Sequence, residues 1–485
     1  MSRELKRLSG LVLAMFLALL VSSSIIQLFQ AGALAADDRN TRARYDSYRV
    51  QRGPILAGST PIAESVAVSD SYRWQRNYSS GALYSAVTGY FPILGQATGL
   101  EGALNDYLSG TSSDQFFDKI QSLVTGQAPK GATVNTTINP TLQQAAWDAL
   151  GNYQGAVIVT EPSTGKILAM VSKPTFDPNL LASHDQNEVQ STYQGLLTDP
   201  SQPLYNRAIA GNMNPPGSTF KLVVAAAAIE SGNFTPDTTF PDLASLTLPG
   251  TSTVIQNSGG GTCAGGGQVS IATALRNSCN IPFAELGQQL GYKAIRAMAE
   301  KFGFNSTFDV PTAAEASVYP TGALDDSQTM MTAYGQFDVR ATPLQMAMVS
   351  AAIANGGKVM NPTLVNSITS SNLSVIKEFS PSEYTQAISP QTAATLTQMM
   401  VNNVAGGAAS NAAISGIQVA GKTGTAQNGA TDPYTLWFTG FAPANNPQYA
   451  ITVLVENGGG LGQTGYGNLI AAPIAKKVLE AVLNK

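Results

Sequence analysis

Pro215-Pro216-Gly217-Ser218-Thr219-Phe220-Lys221 ends one element and opens another. Two prolines and a glycine stop whatever precedes them. Phe220 to Ile229, rich in alanine and valine, predicts a helix that stops at Ser231-Gly232. Ser218 and Lys221 then lie one turn apart on one face. A hydroxyl at such a helix start meets backbone N–H groups and the positive end of the helix dipole, both suited to a developing oxyanion. A lysine buried beside it loses solvation, and its pKa falls towards that of a working base. The pair alone equally fits a plain N-cap serine.

Composition makes a lysine base the natural one. With one histidine, His184, HExxH metalloproteases and histidine-rich zinc sites are excluded, and a Ser-His-Asp triad has one residue to draw on. Ser183-His184-Asp185-Gln186 reads as a polar loop. Neither a metal nor a cofactor is expected. Ser-x-x-Lys occurs three times, at Ser163/Lys166, Ser218/Lys221 and Ser374/Lys377, so context must separate them. Ser163 lies in a turn, and Ser374 sits between Pro362 and Pro381 without a helical stripe. Only Ser218 opens a helix.

Two distant elements join it. Lys422-Thr423-Gly424-Thr425 follows a strand run, Ile417 to Gly421, and is the only Lys-Thr-Gly in the chain. A strand edge with these side chains can bind a peptide by β-addition and hold a carboxylate, while Gly424 lets a substrate approach the backbone. Ser278-Cys279-Asn280 lies between two helical stretches, just before Pro282. Ser-x-Asn alone carries no information, since Ser231-Gly232-Asn233 and Ser370-Ser371-Asn372 match it as a helix terminus and a polar turn.

Outside these motifs, Gly155–Thr160 and Lys166–Val171 flank a Pro/Gly turn and predict a hairpin. Leu436–Phe441 and Tyr449–Glu456 predict two more strands. Pro140–Leu150, Leu344–Ala354, Pro390–Val401 and Leu469–Leu483 predict helices. Strands at both ends of a helical middle imply one antiparallel sheet flanked by helices, an α/β sandwich. Residues 37–131, rich in Tyr, Ser and Gly, predict a small irregular β-rich module. Arg52-Gly53-Pro54-Ile55 and Gly99-Leu100-Glu101 stand out there without an obvious chemical role.

The length of 485 residues allows two or three domains, and a 44% hydrophobic content supplies a large core. A net charge of −4 without a long basic run argues against a nucleic-acid partner. Arg3, Lys6 and Arg7 precede an uncharged stretch from Leu8 to about Ala36, which predicts a membrane anchor with the remaining chain exported. Ala33-Leu34-Ala35 also resembles a signal cleavage site. In that oxidising compartment Cys263 and Cys279 permit one disulfide closing a loop of about fifteen residues, worth on the order of 3 kcal/mol, or stand as two buried thiols.

Ser-x-x-Lys, Ser-x-Asn and Lys-Thr-Gly occur in that order, separated by about sixty and then about one hundred and forty residues. With the anchor, Arg52-Gly53-x-Ile55, Gly99-Leu100-Glu101 and Tyr205-Asn206-Arg207, the chain resembles the class B penicillin-binding proteins, the penicillin-binding protein A type of actinobacteria above all. The resemblance implies a penicilloyl-serine transferase fold: an antiparallel five-stranded sheet flanked by helices, with an all-helical subdomain. It implies three parts: an anchor over 1–36, a non-catalytic pedestal over 37–131 and a transpeptidase domain over 132–485.

By the same resemblance, Ser218 attacks the penultimate D-Ala carbonyl of a peptidoglycan stem peptide and Lys221 takes its proton. Ser278 relays the proton to the leaving amine, and Asn280 holds the peptide and Lys221. Lys422 keeps the site electropositive, and Thr423 and Thr425 bind the terminal carboxylate. The N–H groups of Ser218 and Thr425 form the oxyanion hole. β-Lactams acylate the same serine. Cys279 replaces the Asp usual in β-lactamases, and no Glu-x-x-Leu-Asn stretch is found, both against a β-lactamase. No stretch before Gln127 is long enough for a glycosyltransferase domain, so a separate membrane glycosyltransferase is the expected partner. The rival readings are a D,D-carboxypeptidase or endopeptidase, a β-lactam sensor, and a non-catalytic division scaffold.

Overall fold

The computed structural model describes residues 3–30, 34, 48–115, 130–211 and 213–483. Ala33 and Ala35 of the cleavage-like stretch, residues 37–47, and residues 127–129 at the module's expected end lie outside them. Helix α1, Arg3–Ile25, has 23 residues and is long and apolar enough to cross a membrane, about 20 residues sufficing. Its Leu8, Leu13, Phe16 and Leu20 are exposed, as fits a helix whose cover is not protein.

The next elements are β1 Ile55–Ala57, β2 Thr60–Ala67, β3 Trp74–Asn77 and helix α2 Gly81–Thr88, then β4 Thr133–Thr136. Helix α3, Pro140–Leu150, has Pro140 in its first turn, and the Asn139 side chain caps it by accepting from the N–H groups of Thr141 and Leu142. The hairpin β5 Gly155–Thr160 and β6 Ile167–Lys173 follows, then helices α4 Gln186–Thr198 and α5 Lys221–Glu230. A short hairpin, β7 Ser245–Thr247 and β8 Val254–Gln256, precedes helices α6 Ile271–Asn277, α7 Ile281–Leu290, α8 Asp326–Thr332 and α9 Pro343–Ala354. The chain ends with β9 Val365–Thr369, β10 Val375–Glu378, α10 Pro390–Gly406, β11 Ala420–Ala426, β12 Thr435–Ala442, β13 Tyr449–Val455 and α11 Ala471–Leu483.

The central sheet has the order β11-β12-β13-β5-β6 and is antiparallel throughout. This is the five-stranded sheet expected from the family resemblance. Val157 of β5 lies opposite Val453 of β13, so the first hairpin and the last strands close one sheet. Helix α9 packs on one face, α3 and α11 on the other. Strands covered on both faces are mostly apolar, and β12 is buried at every position.

The N-terminal module departs from the expected irregular β-rich unit in two ways. Short helices, α2 among them, share it with the strands. Its six-stranded sheet has the order β10-β9-β4-β1-β2-β3, so half its strands come from beyond residue 131. β4 and β9 are far apart in sequence, and no local periodicity reveals such a pairing.

Candidate active site

Ser218 lies in a 3-10 turn, Gly217–Phe220, that runs directly into α5. The turn is wedged between two neighbours. Gly217 N–H donates to Gly335 O at 3.0 Å, and a Cβ on Gly335 would stand 2.0 Å from Gly217 O. Both glycines adopt positive φ, +53° and +76°, where a side chain is strained as well as crowded. On the other flank Trp437 Nε1 donates to Pro215 O at 2.9 Å, and the place of a Cβ on Gly424 is 2.8 Å from Pro216 O. Gly424 therefore gives room to the Ser218 turn, where the motif alone suggests room for a substrate.

The three motifs converge on two buried amines. Lys221 Nζ lies 3.0 Å from Ser218 Oγ, 2.7 Å from Ser278 O and 2.8 Å from Asn280 Oδ1. Lys422 Nζ donates to Ser278 Oγ at 2.7 Å and to Thr423 O at 2.9 Å. Ser278 thus spans both lysines, one through its carbonyl and one through its hydroxyl. It follows α6 in the left-handed conformation, φ 61°, an uncommon one for serine that recurs at functional sites.

Both amines are fully buried. Burial first, and the Lys422 cation second, hold Lys221 well below the ordinary lysine range. Burial alone brings Lys422 down to about 7. A neutral amine has two hydrogens and one lone pair. Ser278 O and Asn280 Oδ1 can only accept, so they take both hydrogens of Lys221 and leave its lone pair for the Ser218 hydroxyl. The site is arranged for proton abstraction from serine.

Strand β11 borders this cleft at the edge of the central sheet. The Thr425 hydroxyl accepts from Gly467 N–H at 3.1 Å, which leaves its own proton to donate. The Thr423 hydroxyl donates to Ala408 O at 2.8 Å and is already committed. The Lys-Thr-Gly residues lie inside the strand, not after it. Ile414 and Ile417 instead pair with each other across a turn at Gly416, and the strand begins at Ala420. A Cβ on Gly421 would stand 2.5 Å from the Phe438 ring, so close packing puts a poor strand former in a true strand.

The second motif is held from behind by residues the sequence did not mark. Asn257 Oδ1 accepts the N–H groups of Asn280 and Ile281 at 3.0 and 3.1 Å, and its amide donates to Leu243 O and Gly261 O, both at 3.0 Å. Asp242 accepts three N–H groups of the same loop, from Cys263, Ala264 and Gly266, at 2.5, 2.7 and 2.8 Å. Cys263 and Cys279 are joined by a disulfide. An Asn at a strand end and an Asp in a turn are common, and only the fold makes them partners of the motif.

Other residues singled out in the sequence serve elsewhere. Ser163 lies between β5 and β6, and Ser374 and Lys377 lie at and in β10, so neither pair shares a helical face. His184 pairs with Asp70 of the N-terminal module at 2.5 Å, with its ring against Tyr72. Glu101 is buried between Arg52 and Arg76, at 2.6 and 2.5 Å, which gives Arg52-Gly53 and Gly99-Leu100-Glu101 a shared structural role. Arg207 reaches Glu456, just past β13, at 3.0 Å.

Residues 155–480 match the penicillin binding protein transpeptidase domain, and residues 52–134 match the penicillin binding protein A dimerisation domain. The chain is 40% identical over its full length to the full-length peptidoglycan D,D-transpeptidase PbpA of Mycolicibacterium smegmatis. It is 41% identical to that of Mycobacterium tuberculosis, over 100% of this chain and 99% of the relative. Penicillin-binding protein A from M. tuberculosis, solved as a ceftriaxone acyl-enzyme complex, superposes with a TM-score of 0.87 at 40% identity, over 90% of this chain and all of that one. The penicillin G acyl-enzyme of the same protein gives 0.84, at the same identity and coverage.

Proposed function

The chain belongs to the penicillin-binding protein transpeptidase family, and from that premise we propose how its residues carry out peptidoglycan D,D-transpeptidation. The enzyme forms peptide cross-links through an acyl-enzyme and is acylated by β-lactams. Ser218 is the nucleophile. Its Oγ attacks the penultimate D-Ala carbonyl while its proton passes to the neutral Lys221 Nζ. The N–H groups of Ser218 and Thr425 hold the oxyanion. Collapse breaks the peptide bond, and the proton travels from Lys221 by way of Ser278 Oγ to the departing D-Ala nitrogen. Asn280 steadies Lys221 and the donor peptide. Lys422 orients Ser278 and, when protonated, draws the terminal carboxylate. The Thr425 O–H binds that carboxylate, and Thr423 joins only by releasing Ala408 O. Gly424 admits the nucleophile turn to β11. An amine of a second stem peptide then takes the acyl group.

One observation carries this reading: Lys221 Nζ stands 3.0 Å from Ser218 Oγ, and its two other partners, Ser278 O and Asn280 Oδ1, are acceptors only. Intact mass after benzylpenicillin treatment, followed by peptide mapping, tests it. The adduct belongs on Ser218, and an adduct on any other residue overturns the assignment.

The same reading places an anchor over 1–36, a pedestal over 37–131 and the transpeptidase domain over 132–485 on the extracytoplasmic side. Arg3, Lys6 and Arg7 at the foot of α1 and the Cys263–Cys279 disulfide support that topology. The reading also pairs the chain with a separate membrane glycosyltransferase that polymerises the strands it cross-links; the matches over residues 52–134 and 155–480 are to a dimerisation and a transpeptidase domain. Labelling of an engineered exposed cysteine by a membrane-impermeant maleimide tests the sidedness. Co-purification from detergent tests the partner.

A further inference from the structure

A second cleft of ≈ 540 Å³ lies away from Ser218, between the N-terminal module and the transpeptidase domain. The end of α2 and the loop after it form one wall, β6 and α4 another, and the stretch from Pro203 to Gly211 a third. That stretch contains the Tyr205-Asn206-Arg207 run and leads into the nucleophile turn.

The lining has a definite chemistry. Four aromatic residues meet there: Tyr90, Phe176, Tyr193 and Tyr205. Tyr90 and Phe176 pack edge to face, with centroids 5.6 Å apart, and Tyr205 is 44% exposed. Tyr90 is only 8% exposed, yet its hydroxyl bonds to no described residue and is not sealed from the cleft. Burial, with Tyr193 beside it, pushes that phenol up to about 12, so it is a neutral donor at any working pH. Glu315 supplies one carboxylate, and no Lys, Arg or His lines the cleft among the described residues.

This set disfavours anions. Phosphates and free carboxylates would find a carboxylate and no cation. It suits a neutral ring with an apolar face and a polar rim: aromatic rings stack on the face, while phenol, hydroxyl and carboxylate groups bind the rim. The volume lies within the roughly 300–1,000 Å³ usual for ligand sites.

We infer that this cleft binds the glycan strand of peptidoglycan, through the pyranose rings and acetamido groups of its N-acetylhexosamines. The inference rests on the transpeptidase reading, since that reading makes peptidoglycan the polymer this chain meets. A bound strand would touch both the module and the loop that feeds the nucleophile turn.

The test uses the full-length protein in detergent, titrated calorimetrically with chitotetraose, a soluble β-1,4-linked N-acetylglucosamine tetramer. Saturable binding is expected. Tyr193→Ala and Tyr205→Ala should each weaken it about tenfold, the scale of one lost aromatic contact with its buried area. Tyr90→Phe, which keeps the ring and removes only the hydroxyl, should weaken it a few-fold. All three variants should keep the wild-type penicillin acylation rate. Absence of saturable binding to the wild type overturns the inference, as does binding that all three variants leave unchanged. Displacement of the tetramer by a sugar-free stem pentapeptide would also overturn it, by making the cleft a peptide site. Penicillin acylation of the wild type is read in parallel, so failure of the transpeptidase reading registers separately.

Discussion

Asn257 Oδ1 accepts the backbone N–H of Asn280 at 3.0 Å, and Asn280 Oδ1 in turn stands 2.8 Å from Lys221 Nζ. The Lys221 amine is therefore positioned by a residue outside every motif. Asn257 is 5% exposed and uses both ends of its amide, so truncation strands several buried groups at once. Asn257→Ala should cost on the order of 2–4 kcal/mol of stability, at roughly 1–3 kcal/mol for each orphaned group with partial relaxation. It should also slow acylation by a fluorescent penicillin at least about tenfold, the lower range for a displaced general base. Asn257→Asp keeps the acceptor that Asn280 uses and should recover part of the rate. An Ala variant that acylates at the wild-type rate would show that Asn280 does not depend on Asn257.

The two buried lysines set a pH dependence with a fixed sign. Lys422 falls from 10.5 to about 7 on folding, and Lys221 falls well below its ordinary range. At these two groups the folded chain thus binds fewer protons than the unfolded one between about pH 7 and about 10.5. The contribution of these two lysines to the unfolding free energy therefore rises with pH across that window, by up to about 1.4 kcal/mol per unit for each group. Lys422→Met removes one share. Its stability, measured by urea unfolding, should gain less than the wild type's between pH 7 and 9, and equal gains would discard the argument.

Kinetics give an independent reading of the same pair. With Lys221 as the proposed base, acylation needs its neutral amine, so the rate should rise with pH through the Lys221 titration and then level. The Lys422 cation helps to keep Lys221 neutral. In Lys422→Met the acid limb should move to higher pH, beyond any uniform loss of rate. A profile that is lowered but not displaced would mean the two amines do not interact.

Much of the cleft could be read before the fold because its chemistry is carried by local signals. Pro215-Pro216-Gly217 before an apolar helix marks Ser218, and burial beside it explains Lys221. The central strands β12 and β13 could be read because burial on both faces leaves mostly apolar runs, interrupted only by threonine and glycine. What escaped depends on pairings across long separations. β9 joins β4 in the module's sheet, and the Asn135 amide bonds Ser367, which no periodicity foretells. Asn257 and Asp242 escaped for a related reason: a polar residue in a turn looks the same whether it faces water or holds a catalytic loop. The start of β11 differs from the strand run the sequence predicts because Gly421 and Gly424 are there for contact with Phe438 and Pro216, against strand propensity.

The Cys263–Cys279 disulfide ties the middle residue of the second motif to the loop that Asp242 clamps. Both cysteines adjoin hydrogen bonds that serve the motif: Asn277 donates to Cys263 O at 3.0 Å, and Asn280 donates to Gln256 O at 2.9 Å. Cys263→Ser should lower the melting temperature, the loop closure being worth on the order of 3 kcal/mol. It should also slow acylation by loosening Ser278 and Asn280. Unchanged melting and unchanged acylation together would leave the bridge without a role in the site.

Glu101 offers the sharpest separation of stability from chemistry. It is fully buried between Arg52 and Arg76, and Arg52 also donates to Glu101 O at 2.6 Å and to Asn105 at 2.9 Å. Burial opposes the charged carboxylate, but the two guanidiniums outweigh it and hold Glu101 below its ordinary pKa. Glu101→Gln keeps the shape and one acceptor while leaving two buried cations without a counter-charge. Removing one partner of a buried ion pair costs roughly 3–5 kcal/mol, so the variant should melt well below the wild type. The cleft around Ser218 touches none of these groups. Acylation of the folded fraction by penicillin at low temperature should therefore proceed at the wild-type rate. A melting temperature within a degree or two of the wild type would mean the triad contributes little. A normal melt with slow acylation would instead connect the module to the catalytic turn.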